Sequence, residues 1–97
     1  MRKVLVERRL TDVAGRLHAL REELRVIDEQ FVQLNDEADD TRLRSLVSET
    51  PLADREFRDA QRHADAMYRR RVEVVETIER LEARQDELLD ALNESRR

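Results

Sequence analysis

Apolar residues recur at alternating spacings of three and four along the first part of the chain: Val6, Leu10, Val13, Leu17, Leu20, Leu24, Ile27, Phe31, Leu34 and Ala38. That spacing, kept up across residues 6–38, holds one stripe on one side of an α-helix and reads as a coiled-coil seam. With Leu10 at heptad position a, the a residues are Leu10, Leu17, Leu24, Phe31 and Ala38, and the d residues are Val6, Val13, Leu20, Ile27 and Leu34. Gly15 falls at f, facing water, where it weakens the helix without disturbing the seam. Thr11 has the chemistry of an N-cap and marks an alternative helix start. The pattern predicts a helix over about residues 3–36.

The next two seam positions are Thr41 and Ser45, both polar, while Leu43, Leu46 and Val47 make an i, i+3, i+4 group on a different face. Asp36, Glu37, Asp39 and Asp40 lie between the two patterns. Carboxylates repel one another and oppose the negative end of a helix, so the sequence predicts a break near 36–40. Asp39 or Asp40 would then cap a short helix over about 41–48.

Ser48-Glu49-Thr50-Pro51 is the clearest punctuation. Thr50 suits an N-cap and Pro51 the first helical position, where a missing N–H does no harm. Asp54 and Glu56 follow near the positive end of the helix dipole. A second long helix is predicted over about 51–95, with the seam Phe57, Ala60, Ala64, Met67, Arg71, Val74, Ile78, Leu81, Gln85, Leu88 and Leu92. Arg71 and Gln85 interrupt it at a positions, where polar residues trade stability for register and oligomer specificity. Tyr68, Val75 and Leu89 form a further row at e and widen the apolar face.

These elements predict an all-α fold: one antiparallel helical hairpin over residues 1–97, with a short helix at the turn. At 1.5 Å per residue the long helices would measure roughly 45–50 Å and roughly 65 Å. A lone hairpin has a small core, and the widened face of the last helix predicts a homodimer closing into a four-helix bundle, the alternative being a monomer with the short helix folded back as a third helix. Tyr68, Arg71, Val75, Gln85 and Leu89 are the candidate interaction residues, for a second copy or for a helical protein partner.

Composition narrows the function classes. Of the 97 residues, 43% are charged and 3% aromatic, with one Gly, one Pro and no Cys. Without Cys there are no disulfides, zinc fingers or thiol chemistry. One Gly leaves no phosphate-cradling loop. No apolar run approaches the roughly 18 residues that cross a bilayer. Met1 to Val6 begins like a secretion signal, but Glu7, Arg8 and Arg9 stop the apolar stretch, so a cytoplasmic protein is expected. The net charge is −4 and both signs are interspersed. That mixture suits a long helix or coiled coil.

Candidate chemistry is sparse. The acidic cluster at 36–40 offers hard oxygens to a divalent cation but lacks the spacing and the Gly of a calcium loop. It reads instead as a solvated helix break. His18 has Glu22 and His63 has Asp59 four residues away, but catalysis needs a nucleophile and an orienting group in a pocket and a hairpin offers no evident one, so both read as surface or seam-edge residues. Arg55, Arg58, Arg62, Arg69, Arg70 and Arg71 make part of the last helix basic, and Arg2, Lys3, Arg8, Arg9 and Arg16 do the same near the start. Arg62, Arg69 and Arg70 are candidate phosphate contacts. No aromatic platform interleaves them, so ion pairs to Glu and Asp are the expected use and nucleic acid is a disfavoured partner. No catalytic, cofactor-binding or metal residue is assigned. A non-enzymatic protein is expected, with no membrane and no small-molecule substrate.

Two resemblances add to this reading. The stretch from Ala38 through Asp39-Asp40-Thr41-Arg42-Leu43-Arg44-Ser45-Leu46 to Thr50-Pro51 and Phe57 resembles small helical proteins of actinobacteria. One protein of that general kind is linked to control of a chromosome-partitioning ATPase, which implies a regulatory role of that type. The acidic cluster near the turn and Glu56-Phe57-Arg58-Asp59-Ala60 are similar to the coiled-coil hairpin of Gre-type transcript-cleavage factors. That implies an RNA-polymerase-associated regulator with an acidic tip, although the family's Gly-containing tip motif is absent. The first reading is an interaction or scaffold protein acting through coiled-coil surfaces. The alternative is a nucleic-acid- or polymerase-associated regulator.

Overall fold

In a computed structural model, residues 2–96 are described. They form two helices, α1 (Lys3–Ser48) and α2 (Pro51–Ser95), joined by Glu49 and Thr50 into a helical hairpin. The predicted break is absent: α1 runs uninterrupted through the acidic cluster, and residues 41–48 are its last turns rather than a separate helix. Asp36, Glu37, Asp39 and Asp40 are all exposed. Water screens their repulsion, and extending an existing helix costs less than nucleating a new one.

The seam survives as well. Thr41 is buried at d, with its hydroxyl donating to the carbonyls of Glu37 at 2.9 Å and Ala38 at 3.0 Å. Ser45 is half-buried at the next a position, and its hydroxyl donates to Asp54 Oδ1 on α2 at 2.9 Å. Hydroxyls that find carbonyl or carboxylate acceptors can be buried at little cost. The register therefore continues, and Leu43, Leu46 and Val47 belong to the opposite side of the same helix.

Thr11 caps nothing: it lies inside α1 and its hydroxyl donates back to the Glu7 carbonyl at 3.1 Å. Thr50 does cap α2, accepting from the Ala53 N–H at 3.2 Å, with Pro51 at the first helical position. At the other side of the turn the Glu49 N–H donates to the Ser45 carbonyl at 3.1 Å, and Glu49 itself has φ of 48°. That is an αL helix stop, a conformation normally given to Gly.

The chain divides into two compact units. The terminal unit pairs Met1–Leu24 with Val74–Arg97. Its core is bulky: Val6, Val13, Leu17, Val74, Ile78, Leu81, Leu88 and Leu92 are buried, Leu17 and Leu88 almost completely. Arg21 and Glu82 add an exposed ion pair between the helices at 3.5 Å.

The turn unit is Arg25–Glu73. Its seam is thin. Ile27 is buried, but the positions nearer the turn hold Ala38, Thr41, Ala53, Ala60 and Ala64, with Leu34 packed against the Ala38, Ala60 and Ala64 cluster. Small residues let backbones approach closely but bury little apolar area. Asp28 bonds Arg71, Phe31 meets Tyr68 and Ser45 bonds Asp54. In each of these pairs the two residue numbers add to 99, so residue i of α1 lies level with residue 99 − i of α2 in this unit.

Two substitutions test the local backbone assignments. A Cβ at Gly15 meets nothing within 4 Å and the residue is helical, so Gly15→Ala should raise unfolding stability by about 1 kcal/mol. Glu49→Gly should raise it by a similar amount, about 1 kcal/mol, by relieving the left-handed strain. Urea unfolding followed by circular dichroism measures both, and a loss of stability in either would contradict the conformation described.

Candidate functional site

The row expected to receive a partner is partly used within the chain. In the turn unit Tyr68 sits beside Phe31 across the hairpin, ring centroids 6.1 Å apart and tilted by 45°, while remaining 54% exposed. Arg71 is half-buried at its a position and donates through Nε to Asp28 Oδ1 at 2.6 Å. The polar seam residue thus has an acceptor in its own hairpin. In the terminal unit Val75 and Gln85 are half-buried and Leu89 is 44% exposed.

The arginines are handled mostly by their own helix. Arg62 pairs with Asp59 one turn earlier, and Arg70 with Glu73 at 3.3 Å. Arg69 is exposed. Arg62, Arg69 and Arg70 do not converge on one point: Arg62 and Arg69 occupy f positions and Arg70 a g position. They form a charged helix surface, not a phosphate cradle.

His18 and His63 are both exposed. His63 lines an open pocket of about 370 Å³ with Glu37, Thr41, Arg44, Glu56, Asp59 and Ala60. Among the described residues no three His, Asp or Glu side chains come together to hold a metal ion. Of the acidic cluster, Asp36, Asp39 and Asp40 lie on the outer edge of α1, at f, b and c, while Glu37 turns toward that pocket.

The most prominent feature surrounds the turn, where four large apolar side chains are open to water. Leu43 is 56% exposed, Leu46 67%, Val47 85% and Leu52 64%. Leu43, Leu46 and Val47 share the outer edge of α1 and Leu52 lies on that of α2; three large apolar side chains on one edge are unusual on a surface otherwise dense in charge. Leu46 and Pro51 also line an open pocket of about 560 Å³ at the turn, with Ser45, Glu49, Asp54, Arg55 and Arg58 around it. The sequence pattern predicts a separate helix for Leu43, Leu46 and Val47. Their real position follows once the a and d heptad letters are carried through Thr41 and Ser45, which places them at f, b and c.

The outer edge of α2 near the turn is basic. Arg55, Arg58 and Arg62 lie at f, b and f, and they line a shallow groove of about 570 Å³ together with Phe57, Asp59 and Gln61. All of these groups are in the turn unit.

The fold and these surfaces define an all-α helical hairpin with open helix faces. No helix of the described residues is long and apolar enough to cross a membrane. No protein-family model, curated protein or solved structure matches the chain.

The Arg71–Asp28 pair provides a direct test of the turn unit. Both side chains are substantially exposed, which limits the pair to a modest contribution. A double-mutant cycle with Asp28→Asn and Arg71→Gln should give a coupling of about 0.5–1 kcal/mol that shrinks as salt rises. Zero coupling at low salt would show that the two side chains do not meet in solution.

Proposed function

We propose that this chain is a non-enzymatic interaction protein that works by helix-on-helix association, with itself and with a helical partner, in the cytoplasm. The observation that carries the reading is the group of open apolar side chains at Leu43, Leu46, Val47 and Leu52. The hairpin buries one stripe of each helix and leaves these uncovered, and covering them is the free-energy source available to a partner helix. Flanking charges would select the partner and its orientation. A cytoskeletal or chromosome-partitioning ATPase is a candidate target, on the strength of the sequence resemblance. A nucleic-acid-associated role draws less support, because no aromatic platform interleaves the arginines and Arg62, Arg69 and Arg70 do not converge on one point.

The test is mass in solution by light scattering, from micromolar to hundreds of micromolar chain. The expected result is a mass that leaves the 11.6 kDa of the single chain and reaches at least a dimer. A monomer mass across the whole series would overturn self-association.

A further inference from the structure

The two outer edges of the turn unit carry opposite chemistry. Along α1 the edge reads Asp36, Asp39, Asp40, then Leu43, Leu46 and Val47 toward the turn. All six sit at b, c or f, on the side away from the seam, and all are exposed. Along α2 the edge reads Arg62, Arg58, Arg55, then Leu52 toward the turn, exposed at f, b, f and c, with Asp59 at c between Arg62 and Arg58, so the edge is basic on balance.

The edges also match in height. From the Asp28–Arg71, Phe31–Tyr68 and Ser45–Asp54 pairs, residue i of α1 is level with 99 − i of α2. Val47 is therefore level with Leu52. Asp39 is level with Ala60 and Asp40 with Asp59, which lies between Arg58 and Arg62 and is itself paired with Arg62. Leu43 is level with position 56, beside Arg55, whose aliphatic stem can cover an apolar neighbour. Slide a second hairpin alongside the first without turning it over, and Asp39 and Asp40 come between Arg58 and Arg62 while Val47 meets Leu52 and Leu43 meets the stem of Arg55.

Resting on the association reading above, we propose that the partner at this surface is a second copy of the chain, its α1 edge docked on the α2 edge of its neighbour. Charge complementarity singles out this occupant: the acidic edge faces two guanidinium groups, those of Arg58 and Arg62, at the same height on another copy. Asp59 holds one side of Arg62, and the planar fork of a guanidinium keeps further donors for an incoming carboxylate. The contact is heterologous, because the two surfaces that meet are different. Each copy therefore keeps one free edge of each kind, and assembly does not stop at two. It grows with concentration and weakens as salt screens the facing charges.

Charge-swapped variants test this. In one, Asp39→Arg and Asp40→Arg reverse the α1 edge; in the other, Arg58→Glu and Arg62→Glu reverse the α2 edge. The natural chain is expected to grow in mass beyond a dimer at low salt and to fall back at about 0.5 M salt. Each variant alone should associate at least tenfold more weakly, while an equimolar mixture of the two should recover the natural behaviour. Circular dichroism reports whether each variant keeps its helices. Leu46→Ser with Val47→Ser, which leaves the charges in place, should also weaken association and decides the matter where a swapped variant loses helicity. Variants that weaken association but do not rescue one another would overturn the edge-to-edge contact. So would a natural chain that stops at a dimer and ignores all the substitutions, a result that leaves helix-on-helix association intact through another face. A natural chain that is monomeric throughout would overturn both.

Discussion

Continuity of the seam through Thr41 and Ser45 is the constraint on which the turn unit depends. A hydroxyl buried without an acceptor would cost about 1–3 kcal/mol, enough to favour splitting the helix there. Thr41 escapes that cost by donating to carbonyls of its own helix, so no partner from α2 is needed. Ser45 instead reaches across to Asp54, a residue that also lies in the first turn of α2. One bond satisfies the serine and ties the last turn of one helix to the first turn of the next. With the seam unbroken, every side chain beyond residue 38 keeps the heptad position that the first half of α1 sets. The outer edge of the turn unit follows from that.

Much of this is readable in the residues, for identifiable reasons. The 3-4 stripes of both helices are legible because large aliphatic side chains mark them, and the a-position Arg71 and Gln85 stand out as exceptions within them. The Thr50-Pro51 start is legible because capping depends on a local bond to the Ala53 N–H. The continuation of α1 is not. Carboxylates and hydroxyls in a row look like a helix end, and only the three-dimensional placement of acceptors shows that the hydroxyls are satisfied. The left-handed Glu49 is equally hidden, since the pattern gives no reason to expect a non-Gly residue there. Arg71 can be seen to need an acceptor, but Asp28 is 43 positions away in the chain and cannot be chosen from spacing. The outer apolar group at Leu43, Leu46 and Val47 is visible as a group; what the pattern misassigns is the face.

The surfaces divide by the kind of work they do. The seam residues are consumed in building the hairpin, and Tyr68 is partly consumed with them through Phe31. Arg25, Arg62, Arg70 and Arg84 are paired with carboxylates one turn away on their own helix. What remains free to act on another molecule is helix edge: apolar side chains close to the turn, acid beyond them on one helix and base beyond them on the other.

The uneven distribution of large side chains also bears on how the hairpin forms. Ser45 and Asp54 are 9 positions apart, whereas Arg21 and Glu82 are 61 apart. Bringing the second pair together from an open chain costs about 2 kcal/mol more in loop-closure entropy than the first. The turn unit can therefore close on alanines and hydroxyls because its ends are already neighbours in the chain, and once it has closed, the bulky residues further along meet across a loop that is effectively short. Light side chains nearest the fold-back point and heavy ones toward the ends follow that difference in closure cost.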